Sequence, residues 1–285
     1  MGSAGLVRKH FFNRILLVAV KLALLLLIGC AGEKTPSSPD STAKATPPAQ
    51  RQLRIAAAAD LKFALDELVS AFRAEHPDAG ITVTPGSSGN LFAQLTNEAP
   101  FDLFLSADTE YPKQLIEQGQ ATPGSSFPYA TGHLVLWVTN DSPLDVVDRG
   151  LEILREDRVQ KIAIANPRTA PYGRAAVAAL NSLGVYEIVE PRLVYGDNVA
   201  QTAQMVESQG ADAGIIALSL ALSPPLHEKG RYWPIPGDVH PSIIQSGVIL
   251  RWALDPKLAA AFRDFLVGAD GQEILSRFGF EPAGE

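Results

Sequence analysis

From residue 53 onward, short apolar runs of strand length alternate with segments whose apolar residues recur at helical spacing. This alternation constrains the fold more than any other feature of the chain. Residues 53–58 form the first run, and Leu61, Ala64, Leu65, Leu68, Val69 and Phe72 follow at the spacing of one helix face. Residues 81–84, 102–106, 133–139, 161–165, 192–195, 213–217 and 243–250 read as further strands, and 256–278 as two closing helices. Such alternation predicts an α/β architecture with parallel-rich sheets whose ligand sites lie at the carboxyl ends of the strands. A stretch of about 230 residues lies at the upper edge of what one core supports, so two lobes are expected. Gly132-His133-Leu134 and Ser246-Gly247-Val248 are the expected crossings. They assign 53–133 plus 247–283 to lobe 1 and 134–246 to lobe 2, with a hinge and a cleft between them.

The residues before this region have a different character. Arg8, Lys9 and Arg14 precede an apolar run over 15–28, interrupted only by Lys21 and followed by Gly29-Cys30. A basic segment, a short apolar core and a small residue before the cut form the pattern of a secretory signal peptide over 1–30. The sequence Leu27-Ile28-Gly29-Cys30 is similar to a lipobox, which implies that Cys30 is acylated and begins the mature chain. The alternative is an uncleaved anchor, which Lys21 disfavours by placing a charge near mid-membrane. Cys30 is the only cysteine, so no internal disulfide is needed in an oxidising compartment. Residues 31–52, rich in Pro, Ser, Thr and Ala, read as a flexible tether.

Charge excludes one class of partner. The whole chain carries −7, and the first thirty residues hold four basic side chains and no acidic ones, so the remainder carries −11. No basic stripe with interleaved aromatics appears, so nucleic acid is not an expected partner. An anionic ligand would need local dipoles to hold it against an unfavourable global field.

Four strand-to-helix junctions offer such dipoles. The first is Ala57-Ala58-Ala59-Asp60-Leu61, where small residues permit close backbone approach and the next helix presents its N–H groups. The second, Gly86-Ser87-Ser88-Gly89-Asn90, adds serine hydroxyls. The third is Asn166-Pro167-Arg168-Thr169-Ala170-Pro171-Tyr172-Gly173, which opens an alanine-rich helix. The fourth is Tyr195-Gly196-Asp197-Asn198-Val199. Each also reads as an ordinary turn. Two fall in each expected lobe, so closure would gather four sets of N–H donors around one compact dianion.

Three blocks, 85–95, 99–108 and 164–173, resemble the periplasmic molybdate-binding proteins of ABC importers, and the similarity runs from about Leu53 to Phe280. The resemblance implies a two-lobed type II periplasmic-binding-protein fold that holds molybdate or tungstate in its cleft without metal or other cofactor. It also implies a monomeric chain that serves a permease and its ATPase on the outer side of a bacterial membrane, where the lipobox at Cys30 would anchor it. By position, the implied oxyanion contacts are Asp60, Ser88, Tyr172 and the backbone N–H of Val199, with Ala59 abutting the first. Asp60 departs from the family, which usually has serine or asparagine there. An ionised carboxylate would repel a dianion. The first expectation is that Asp60 turns away and caps the helix that begins at Leu61. The second is that a raised pKa lets a shared proton bridge it to the ligand. The family's tyrosine near Ala217 has no counterpart here.

Other classes have less support. His76, His133, His227 and His240 lack metal-ligand spacing, and Gly86-Ser87-Ser88-Gly89 is not a nucleophile elbow. Asp102 and Asp108 fall on different elements, so no enzyme is expected. A sensory lipoprotein on the same fold, or a carrier of sulfate, phosphate, phosphonate or an organic anion, are the alternatives.

Overall fold

The structure is a computed structural model and describes residues 51–283. The expected signal segment, Cys30 and nearly all of the tether lie outside the described residues. Ten strands build two five-stranded sheets. They are β1 (Arg51–Ala58), β2 (Ala79–Gly86), β3 (Leu103–Ser106), β4 (Phe127–Gly132), β5 (Leu134–Thr139), β6 (Ile162–Ala165), β7 (Leu193–Gly196), β8 (Ala213–Ala217), β9 (Gly230–Pro234) and β10 (Ile243–Ile249). The first sheet has the order β2-β1-β3-β10-β4 and the second β7-β6-β8-β5-β9.

Both sheets follow one plan. Three strands run parallel at one side, β2-β1-β3 in the first and β7-β6-β8 in the second. The fourth strand of each, β10 or β5, runs antiparallel to both of its neighbours. The apolar run at 53–58 becomes a central strand covered on both faces, as a parallel strand requires. Helix Lys62–Glu75 packs Leu65, Leu68 and Phe72 onto the first sheet. Phe72 meets Phe262 of the closing helix Pro256–Val267 at 5.2 Å between ring centroids. The second sheet has its own core around Trp137, Ile162, Ile164 and Ala176, and Ala58, Ala59 and Ala107 from the first sheet's strand ends pack into it.

Two chain passages join the sheets. One is His133, between β4 and β5. The other lies before Ile243, because β10 pairs with β4 from its first residue. This corrects the expected crossing at Ser246-Gly247-Val248: those residues sit inside a first-sheet strand, held by hydrogen bonds to β3 and β4. The tether is also shorter than expected, since Arg51 and Gln52 pair with Ala79 and Gly80 in β1. Edge strands β4 and β9 were not anticipated. Pro128 interrupts the first and Gly230-Arg231 opens the second, so neither shows a clean apolar pattern.

Candidate functional site

The parallel strands of both sheets deliver their carboxyl ends to one junction. Ala58 and Gly86 are register partners at the ends of β1 and β2, so the Asp60 and Ser88 loops lie side by side. Ala165 and Gly196 do the same for the third and fourth loops. Gly89 N–H donates to the Thr169 carbonyl at 2.8 Å, which joins the second loop to the third across the junction. The helix Val199–Glu207 packs against the turn Ala59–Leu61, which brings Val199 to the first loop. Ala59, Asp60, Ser88, Tyr172 and Val199 are all buried there.

Asp60 stands at the centre, 1% exposed. Its Oδ2 accepts the Tyr172 hydroxyl at 3.0 Å from the second sheet's side and the Gln245 amide at 2.5 Å from β10. Its Oδ1 is buried with no hydrogen-bond partner. Burial pushes the Asp60 pKa up from 3.8 to about 6, opposed by the hydrogen bonds from Gln245 and Tyr172 and by the nearby N–H groups of Asp60 and Leu61. The same burial, with the Asp60 charge, raises the Tyr172 and Tyr129 hydroxyls well above their usual range. The expectation that Asp60 caps a helix is overturned. The segment opens with the 3-10 turn Ala59–Leu61 before helix Lys62–Glu75, neither has a side-chain cap, and the carboxyl turns toward Tyr172 and Gln245.

Neutral groups fix that carboxyl. The Tyr129 hydroxyl lies 2.8 Å from Gln245 Oε1 and 3.0 Å from the Ser106 carbonyl. Its hold on Oε1 directs the amide NH2 of Gln245 at Asp60. Ser219 donates to the Asp60 carbonyl at 2.8 Å. A Cβ on Gly132 would fall 2.1 Å from the Tyr172 hydroxyl, so glycine alone lets this oxygen lie against β4. Tyr172 thus gives its proton to Asp60 and holds the carboxyl in place.

The other loops keep donors available. Ser88 Oγ accepts from Ala107 N–H at 2.9 Å, which leaves its own proton free for an acceptor. Ser87 Oγ and Thr169 Oγ1 are buried without partners, as is Asp60 Oδ1, so three of the four loops present an unsatisfied polar atom. Asn198 caps its helix through Ala200 and Gln201 N–H, and Val199 N–H is the first of that helix. At the rim, Arg174 reaches Asp108 at 2.5 Å and its guanidinium lies 5.8 Å from the Tyr111 ring centroid. Asp102, by contrast, is a framework residue. Burial alone would raise its pKa, but hydrogen bonds from Arg54 and from Leu254 N–H hold it below the usual range. Among the described residues, no cluster of His, Cys, Asp and Glu could hold a metal ion, and no helix is long and apolar enough to cross a membrane.

Sequence reasoning missed Tyr129, Ser219 and Gln245. Gln245 carried a signal: it is a fully buried glutamine inside the apolar run Ile243–Ile249, where a partner is required.

Two mirrored sheets with convergent strand ends and a polar junction define a ligand-enclosing binding protein. The model of the bacterial extracellular solute-binding proteins matches residues 53–281, and the chain belongs to that family. Its relatives at 35–36% identity over most of the chain are molybdate-binding proteins. It is 36% identical over 236 residues to the molybdate-binding protein ModA of Rhodobacter capsulatus, covering 83% of this chain and 90% of that one. The periplasmic molybdate-binding protein of Azotobacter vinelandii superimposes with a TM-score of 0.75 at 32% identity, over 80% of this chain and 98% of that structure. A putative ABC transporter substrate-binding lipoprotein of Bacillus subtilis, YvgL, is 29% identical over 92% of this chain and 96% of its own length. The fold is the type II periplasmic-binding-protein fold that the sequence predicted.

Proposed function

We propose that this protein captures molybdate, and tungstate with it, in the junction between its two sheets and presents the anion to an ABC importer. The observation that carries the reading is the convergence of four strand-end loops on one buried polar cluster, in which, among the described residues, no lysine or arginine hydrogen-bonds Asp60, Tyr172 or Gln245. Ser88 O–H, Val199 N–H and the polar atoms at Asp60 face that junction as the anion's partners, with Ala59 allowing close approach. Neutral donors at fixed spacing match one oxyanion radius, so molybdate and tungstate should bind alike. Sulfate, being smaller, leaves donors unpaired at about 1–3 kcal/mol each. Calorimetry should therefore show at least ~100-fold preference for molybdate over sulfate. Equal affinity would move the protein to another anion.

The chain's place outside the membrane follows from the same reading. Cleavage before Cys30 and acylation there would tether the domain near its permease, and the likeness to a substrate-binding lipoprotein supports this. Mass spectrometry of the protein isolated from membranes should show a chain that begins at a lipid-modified Cys30. An unmodified Cys30 within an uncleaved chain would identify an anchor instead.

A further inference from the structure

The Asp60 carboxyl poses a charge problem that the site's geometry resolves. Both hydrogen bonds to it, from Tyr172 and Gln245, fall on Oδ2, while Oδ1 is buried and unpartnered. The groups facing the carboxyl from the packed elements are Tyr172 on the helix Pro171–Ser182, Gln245 on β10 and Tyr129 on β4 behind Gln245, together with the adjacent backbone N–H groups of Asp60 and Leu61. All are neutral. Asp108, whose charge reaches Tyr129, is the other acid bordering the cluster, and it is paired with the rim cation Arg174. Among the described residues, no lysine or arginine hydrogen-bonds Asp60, Tyr172 or Gln245 to balance a carboxylate beside a dianion. A carboxyl whose Oδ2 is filled by two donors has one place for a proton, Oδ1. An O–H there needs an acceptor, and an oxyanion oxygen is one.

We propose that Asp60 is protonated in the anion complex and donates its Oδ1–H to the cargo, so that each dianion is captured together with one proton. The inference rests on the proposed function and adds a stoichiometry to it. The proton comes from solvent on closure and returns on release, and no bond other than this O–H forms or breaks. A carboxyl then does what serine or asparagine does in related proteins, but only when it is neutral. Capture becomes stronger in acidic surroundings and release stronger in alkaline ones. The elevated Asp60 pKa of about 6 places the free protein's transition within the range an exported protein meets.

The test is a proton count. Sodium molybdate is titrated into the full-length protein by calorimetry at about pH 8, in two buffers of different ionisation enthalpy, with wild type, Asp60→Asn and Asp60→Ser compared. Wild type should take up close to one proton per molybdate, and its affinity should weaken about tenfold per pH unit above the Asp60 transition. Both variants should bind with no proton uptake and with affinity flat in pH, because asparagine and serine donate at every pH. Wild-type binding without proton uptake would overturn the inference and leave the cargo assignment standing. Proton uptake that persists in Asp60→Asn would also overturn it. Failure of all three proteins to bind molybdate at any pH, while folded by circular dichroism, would overturn both.

Discussion

The centre and the rim of the junction solve the same problem with opposite chemistry. At the centre, the carboxyl of Asp60, a residue 1% exposed, is held by tyrosine and glutamine side chains, both neutral, while Ser219 holds the main-chain carbonyl of the same residue. At the rim, Arg174 and Asp108 meet as a full ion pair, with 44% and 18% of their side chains exposed. Both contacts bridge the two sheets. The centre cannot rearrange cheaply, because an unpaired buried polar group costs its full desolvation. Water can replace either partner at the rim, so that pair is worth ~0–1 kcal/mol and is screened by salt. The difference teaches that selectivity and pH response belong to the centre, while the rim adjusts how readily the two sides part.

Replacing the central charge should produce the larger effect. The folded-state pKa of Asp60 is raised above its unfolded value, so between pH 3.8 and about 6 the folded protein holds more protons than the unfolded chain. Stability contributed at this site is therefore present at low pH and lost as pH rises through that window, by about 3 kcal/mol for a shift of this size. Asp60→Asn removes the loss. Denaturant melts of wild type and variant should differ little near pH 4, and the variant should gain up to about 3 kcal/mol by pH 8. A difference that stays constant with pH would mean that the centre is not governed by this carboxyl.

The smaller effect belongs to the rim. Arg174→Gln should change stability by less than about 1 kcal/mol, and the change should shrink as salt is raised from low to physiological concentration. Molybdate dissociation measured by stopped flow should speed up only a few-fold. A loss as large as that from disturbing Asp60 would erase the contrast between centre and rim.

Much of this contrast was legible in the sequence, but unevenly. Central parallel strands such as residues 53–58 and 213–217 are apolar on both faces and announce themselves. Ala59, Asp60 and Tyr172 follow the buried strands β1 and β6, whereas Ser88 and Val199 follow the edge strands β2 and β7 and are marked instead by the glycine-bearing turns that open their helices. The edge strands β4 and β9 escaped detection because Pro128 in the first and Gly230-Arg231 in the second break the apolar pattern. The second crossing was set too late for a related reason. Gly247 looks like a hinge, yet β10 needs glycine there because a Cβ would fall 2.5 Å from the Phe127 ring. Asp60 was misread as a cap because local spacing favours one. Gln245 lies 185 residues away from it and outbids the local backbone, and no window of sequence shows that contact.

If the protein works as proposed, the anion sits where the four loops meet. Anomalous scattering at the molybdenum edge, from crystals grown with sodium molybdate, locates the metal atom without any assumption about its partners. One strong peak is expected between the sheets, with the anion's oxygens within hydrogen-bond reach of Ser88 Oγ, Val199 N–H and Asp60 Oδ1. A peak outside the junction, or a bound anion whose oxygens turn away from Asp60 toward Arg174 at the rim, would contradict it.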